Sequence, residues 1–219
     1  LTAENPIEYE IPGVNQVLVR PEIGLTFARA LRSFLRQDPD IIMVGEIRDL
    51  ETAEIAIQAS LTGHLVFSTL HTNDAAGAFT RLLDMGVEPY LVASSVEAVV
   101  AQRLVRKLCD SCKKNIVPEP EVIKNAGFQW DDRFRNSIFG KGECEQCSMT
   151  GFRGRIGIFE VLRVSEQIRS MVIARNSADE IKQTAVADGM STLRDDGWQK
   201  VIHGVTTVEE VLRVTEENE

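Results

Sequence analysis

The run Ile41-Ile42-Met43-Val44 is apolar at every position and stands between two stretches with helical periodicity. A strand with one face in water alternates apolar and polar residues. A run without alternation is buried on both faces, as in the middle of a parallel sheet. The neighbouring sequence repeats the pattern. Thr26 is placed to cap a helix through Gln37 with Phe27, Ala30, Leu31, Phe34 and Leu35 on one face, and Pro39 ends it. Asp49 is placed to cap a second helix, Leu50 to Leu61, stopped by Gly63. His64 to Leu70 is another apolar run, and Asn73 or Asp74 opens a third helix that ends before Gly86. A fourth helix is expected from about Pro89 to Leu108. Strands alternating with helices indicate an α/β fold whose parallel sheet is covered on both faces. In such sheets ligands bind beyond the carboxyl ends of the strands. That rule singles out Glu4 to Glu8, Gly45-Glu46, and Ser68 to His71.

Residues 108–154 differ in character and hold all four cysteines, as Cys109-Asp-Ser-Cys112 and Cys144-Glu-Gln-Cys147 with 31 residues between the pairs. The first residues have neither the basic start nor the apolar core of a signal peptide. No stretch reaches the roughly 18 uncharged apolar residues of a membrane span. A cytosolic protein is therefore expected, and cytosolic thiols in paired C-x2-C spacing point to metal rather than disulfides. Four thiolates suit a closed, structural Zn2+ site. A redox dithiol and unliganded core cysteines are the alternatives, and the long spacing implies that the intervening residues make an excursion of their own.

Three regions follow: an α/β core at 1–107, the tetracysteine module at 108–154, and a strand with small helices at 155–219. Ser177 with Glu180, and Thr207 with Glu210, have capping-box spacing. A net charge of -9 disfavours nucleic-acid binding, which runs on Lys and Arg neutralising phosphates. The local basic stretch Arg103, Arg106, Lys107, Lys113 and Lys114 reads best as a solvated helix end beside the metal site. Taken singly, Glu8, Glu46 and His71 each have an ordinary structural explanation, as a solvated turn carboxylate, a helix-capping charge and a satisfied core histidine. Their common place after parallel strands is what suggests a site. An apolar strand ending in an acid, here Glu46, is also how nucleotide hydrolases support Mg2+ and orient the attacking water.

At these residues the sequence resembles the ATPases of type II secretion and type IV pilus assembly, the GspE/PilB-like group. Thr2-Ala-Glu-Asn-Pro-Ile-Glu8 is similar to that family's Asp box, Leu35 to Asp49 to its Walker B region, and Gly63 to Asn73 to its His box. The four-cysteine module, Gly154-Arg-Ile-Gly-Ile-Phe-Glu160 and Arg194-Asp-Asp-Gly197 resemble the secretion and pilus-extension branch. The resemblance implies a RecA-like core that hydrolyses ATP with Mg2+. It implies that Glu8 polarises the attacking water and that Glu46 supports Mg2+ and that water. By the same resemblance Glu4 belongs to the catalytic box, His64 and His71 lie near the γ-phosphate, and Arg32, Arg36 and Arg48 contact phosphate or a neighbouring subunit. It further implies a homo-hexamer, cytoplasmic but peripherally associated with the inner membrane, driving pseudopilin or pilin assembly through a membrane platform protein.

Two departures qualify this. Asn5 stands where the box usually carries Asp, which removes a carboxylate from metal positioning. No G-x-x-x-x-G-K-[ST] phosphate loop occurs in these residues, and Leu1 to Glu4 reads as the end of a strand with no earlier partner. The expectation is a carboxyl-terminal piece of the ATPase core, inactive alone. A non-catalytic zinc-bearing docking module and a zinc-dependent nucleic-acid binder are the rival readings.

Overall fold

The computed structural model describes residues 1–125, 127–128, 131–134 and 136–215. In chain order its elements are β1 (Thr2–Glu4), β2 (Gln16–Leu18), α1 (Phe27–Phe34), β3 (Ile41–Val44), α2 (Leu50–Leu61), β4 (Leu65–Ser68), α3 (Gly77–Asp84), α4 (Pro89–Ser95) and β5 (Ala98–Leu108). They continue with β6 (Lys114–Asn115), α5 (Pro120–Asn125), β7 (Phe139–Gly140), β8 (Phe152–Arg163), α6 (Glu166–Ile173), α7 (Ala178–Ala187), α8 (Leu193–Ile202) and α9 (Val208–Thr215). Two compact units result. The first comprises Leu1–Thr72, Ala76–Val99 and Arg163–Ala185; the second comprises Asn73–Ala75, Val100–Leu162 and the chain from Val186 onward. These units cut across the three sequence regions, because α6 and most of α7 belong to the first.

The first unit is built on a parallel sheet in the order β2-β1-β3-β4. β1 pairs on one side with β3 and on the other with the later β2, a short strand with only partly buried residues that carries no apolar run to announce it. Ala3, Ile42 and Val44 are fully buried, and α1 and α2 contribute Ala28, Ala30, Leu31, Phe34, Ala53, Ala56 and Ala59 to the same core. Thr26 and Asp49 cap these helices by accepting from the Arg29 and Thr52 amides. Burial on both faces does not hold throughout. Ile41 pairs in register with Leu65, and Met43 with Phe67, and Ile41, Leu65 and Phe67 each remain about half exposed. In the same unit Arg169 of α6 donates to the Ala93 carbonyl of α4 and pairs with Glu97 at 3.2 Å.

The expected helix from Pro89 to Leu108 is corrected. It stops at Ser95, and Ala98–Leu108 is a strand paired with β8. The segment Ala98-Val-Val-Ala-Gln-Arg-Leu-Val-Arg exposes Val100, Gln102, Leu104 and Arg106 while its alternate residues turn inward to buried Val105, a period of two that β-branched valines favour. The basic stretch is therefore not a helix end, and much of its charge is neutralised: Arg106 pairs with Glu210 at 2.6 Å and Lys113 with Asp110 at 2.8 Å.

In the second unit β6 and β7 pair antiparallel, Lys114 opposite Gly140. The excursion between the cysteine pairs is not independent. Its Ile123, Phe128 and Ile138 share one apolar core with Trp198 and Val201 of α8 and Val208 and Val211 of α9. Phe128 stacks on Trp198 with ring centroids 4.7 Å apart. The Ser177–Glu180 capping box forms in both directions. At Thr207 only half of one forms: its hydroxyl accepts the Glu210 amide, but the Glu210 carboxylate turns to Arg106 and Arg213. Thr192 and Asp195 make a complete box that the sequence reading passed over. Among the described residues no helix is long and apolar enough to cross a membrane.

Candidate functional site

Because β1, β3 and β4 run parallel, the residues that follow them emerge at one end of the sheet. The segments after β3 and β4 are laced together there: the Ile47 amide donates to the Thr69 carbonyl at 3.0 Å, and Thr69 Oγ1 donates to the Gly45 carbonyl at 2.6 Å. The Gly45 amide reaches across to the Ala3 carbonyl at 2.8 Å. This lacing brings Glu46, Arg48 and His71 together. Glu46 Oε2 accepts from Arg48 Nε at 2.5 Å and lies 3.1 Å from His71 Nε2. The Glu46 side chain is only 12% exposed, whereas Arg48 and His71 are 68% and 80% exposed. The Arg48 hydrogen bond, reinforced by His71, outweighs burial and holds the Glu46 carboxyl below its ordinary range. A carboxylate kept ionised at a strand end can accept from and orient a water or a hydrated cation.

The other expected residues are distributed differently. Glu4 Oε1 accepts from Thr2 Oγ1 at 2.6 Å and from Gln16 Nε2 at 2.8 Å, so its carboxylate is engaged within β1 and β2. Glu8 is exposed on the loop between those strands, and no described side chain engages it. His64 is not brought to His71. It precedes β4 and so lies at the amino end of the sheet, where Nδ1 sits 2.9 Å from the Ala59 carbonyl and closes the end of α2. Arg32 pairs with Glu51 at 2.7 Å, and Arg36 donates to Ser33 Oγ at 3.3 Å. Thr69 falls in the Ser68 to His71 stretch that the strand-end rule singles out, without a role of its own, and Gln16 lies outside every such stretch. A hydroxyl directly after an apolar strand was the available signal for the first, and nothing local marked the second.

In the second unit the four cysteines converge. Cys109 Sγ is 3.8 Å from Cys144 Sγ, Cys112 Sγ is 3.8 Å from Cys147 Sγ, and Cys144 and Cys147 are 3.7 Å apart. All four sulfurs lie within 4.8 Å of one another, and none is in a disulfide. Zinc bound tetrahedrally at about 2.3 Å per sulfur sets its ligands about 3.8 Å apart, so donor type, number and spacing fit a closed structural zinc. Both pairs turn alike. The Cys109 carbonyl accepts from the Cys112 and Lys113 amides, and the Cys144 carbonyl from the Cys147 and Met149 amides. Burial opposes ionisation of Cys147, but backbone hydrogen bonds at Cys144 and Gly151 bring it down to about 6, the Gly151 amide donating to its sulfur at 3.2 Å. Burial and the adjoining cysteine sulfurs push Cys112 up to about 12, a crowding of charge that a divalent cation relieves. Gly142 is indispensable to this packing, since a Cβ there would lie 1.9 Å from the Cys112 carbonyl oxygen.

Comparison with known proteins places this geometry. Residues 1–213 match the family model described as "Type II/IV secretion system protein". The chain is 54% identical over 214 residues to the type IV pilus assembly ATPase PilB of Thermus thermophilus, covering 98% of this chain and 24% of that protein. It is 52% identical over 217 residues to type II secretion system protein E of Pseudomonas aeruginosa, covering 99% of this chain and 43% of that protein. It thus spans less than half the length of these curated relatives. The solved pilus retraction motor PilT with bound ADP superposes with a TM-score of 0.68 at 28% identity, over 99% of this chain and 52% of that one. The Legionella pneumophila ATPase DotB shares the fold at 23% identity, with a TM-score of 0.65 over 97% of this chain and 50% of that one. With nearly every residue from the first strand to α9 matched, the chain belongs to the type II/IV secretion system protein family.

Proposed function

We propose that this chain forms part of an ATP-hydrolysing motor subunit that powers assembly of a type II secretion pseudopilus or a type IV pilus. The observation that carries the reading is the Glu46 carboxylate, kept ionised by Arg48 and His71 at the carboxyl end of a parallel sheet. The relatives named as pilus assembly ATPases and secretion system proteins support it. Bound ATP brings Mg2+, which neutralises charge on the phosphates. Glu46 orients the hydrated cation side and the attacking water. His71, exposed beside it, reports the terminal phosphate to the segment after β4. Glu8 takes the proton from the attacking water, with Asn5 leaving that loop one carboxylate short. The cysteines hold zinc as scaffold and take no part in chemistry. Arg32, Arg36 and Arg48 serve phosphate or neighbouring subunits of a homo-hexamer at the cytoplasmic face of the inner membrane, against a platform protein. His64 supports α2 and acts on the phosphate only through that helix.

The phosphate loop on which this chemistry depends is not among these 219 residues, so the polypeptide by itself turns over little or no ATP. Steady-state hydrolysis by the full-length protein, its Glu46→Gln variant and the 219-residue polypeptide tests the reading. Loss of an electrostatic group of this kind lowers kcat by about 100-fold or more. An undiminished rate in Glu46→Gln refutes the role of Glu46, and turnover by the short polypeptide refutes the need for the loop.

A further inference from the structure

Gln16 opens β2 directly opposite Thr2 of β1, and its amide is used at both ends. Oε1 accepts from the Ile11 amide at 2.7 Å, while Nε2 donates to Glu4 Oε1 at 2.8 Å and to the Tyr9 carbonyl at 3.0 Å. This pattern fixes the amide orientation, because flipping it would set an NH2 against an N–H and a carbonyl oxygen against a carboxylate. The three contacts close the loop that runs from Asn5 to Asn15 and carries Glu8.

That loop has little else to shape it. Tyr9 and Ile11 are 81% and 53% exposed, so apolar burial contributes little. Apart from the Val14 amide on the Ile11 carbonyl, the hydrogen bonds of residues 5–14 among the described residues all go to Gln16. A surface loop without a packed underside samples many conformations unless polar contacts hold it. Catalytic groups held loosely forfeit the benefit of being placed in advance.

We propose that Gln16 is a positioning residue for ATP hydrolysis, tying the Glu8 loop to the Glu4 carboxylate so that Glu8 is delivered to the end of the sheet. This rests on the reading of Glu8 as the group that takes a proton from the attacking water. Glu4 is then the anchor of the loop, its carboxylate already engaged by Thr2 and Gln16. The reach of one side chain to both strand β1 and the loop links a strand register to the placement of an acid on that loop that Gln16 itself does not touch.

Gln16→Met is the sharpest substitution, because it keeps the length of the side chain while removing both the oxygen that accepts from the Ile11 amide and the NH2 that donates to Glu4 and the Tyr9 carbonyl. The test uses the full-length protein, with hydrogen exchange of the 5–16 segment, thermal melting, and kcat and KM for Mg-ATP, alongside Glu8→Gln. The expected result is exchange of the Ile11 amide faster by about tenfold or more, as for a broken hydrogen-bond set. It includes kcat lowered at least as far, KM within about twofold, and a melting temperature close to wild type, since the loop buries little. Unchanged exchange overturns the proposal outright. Faster exchange with unchanged kcat also overturns it, and the Glu8 control tells why. An inactive Glu8→Gln then shows that Glu8 acts without being held by Gln16, whereas an active one shows that the reading of Glu8 itself is wrong.

Discussion

Replacing Glu210 should cost the second unit about 3 kcal/mol at neutral pH, and the cost should disappear in acid. Glu210 is 3% exposed on α9 and is fully engaged. Its carboxylate accepts from the Arg106 amide at 3.1 Å, Arg106 Nη2 at 2.6 Å, Arg213 Nε at 3.1 Å and Arg213 Nη2 at 2.9 Å. Burial alone would raise its pKa, but the hydrogen bonds from Arg106 and Arg213 prevail and bring it to about 2 from an ordinary 4.5. A depression of that size is worth about 3 kcal/mol, in line with the roughly 3–5 kcal/mol lost when a buried pair is broken from one side. The two arginines are 49% and 55% exposed and recover hydration when the carboxylate goes, which favours the lower end of that range. The folded pKa lies below the unfolded one, so the contribution is complete above about 4.5 and is lost as pH falls towards about 2. Urea unfolding followed by fluorescence of Trp198, which packs in the same core as Val211, reads this directly. Wild type and Glu210→Gln should differ by about 3 kcal/mol at pH 7 and converge towards pH 2. Equal stability at pH 7, or a gap that persists through the acid range, would refute the assignment of this energy to the carboxylate.

In α8, Gly197→Ala should destabilise despite the better helix propensity of alanine. A Cβ there meets Val211 Cγ1 at 2.5 Å, and Val211 is fully buried and stiff, so overpacking of about 1–3 kcal/mol outweighs a propensity gain of about 1 kcal/mol. Thermal melting should show a loss that Val211→Ala largely relieves in the double variant, and a raised melting temperature would contradict the packing argument. Chelation of the cysteine site should release about one zinc per chain, measured by metal analysis with thiol titration, and leave four reactive thiols. Zinc well below one equivalent in protein purified without chelator would sink the assignment. Gly142→Ala should lower zinc retention at least tenfold in a chelator competition, since nothing short of moving the Cys112 carbonyl makes room. Retention like wild type would show that the backbone yields there.

The parallel sheet, the caps at Thr26 and Asp49, the clustering of the four cysteines and the acid at the end of β3 were legible in the sequence, because each depends on local pattern. An unalternating apolar run, a side chain one turn from an amide, and thiols two residues apart express their physics within a few positions. The segment after Ser95 was misread because valines and leucines spaced along Ala98–Leu108 satisfy either period until the pairing with β8 selects one. Glu210 looked like a capping-box acid, and local geometry offers it that role. Arg106, 104 residues away in sequence, prevails over the helix end because a charge-assisted bond to a buried carboxylate is stronger than an exposed cap. His64 and His71 share one motif but are separated by the length of β4, so the strand sends them to opposite ends of the sheet. Which side chains meet at the Glu46 carboxylate, and which glutamine ties the Glu8 loop, follow from strand order and register. Those depend on non-local pairing, which no local stretch of the sequence encodes by itself.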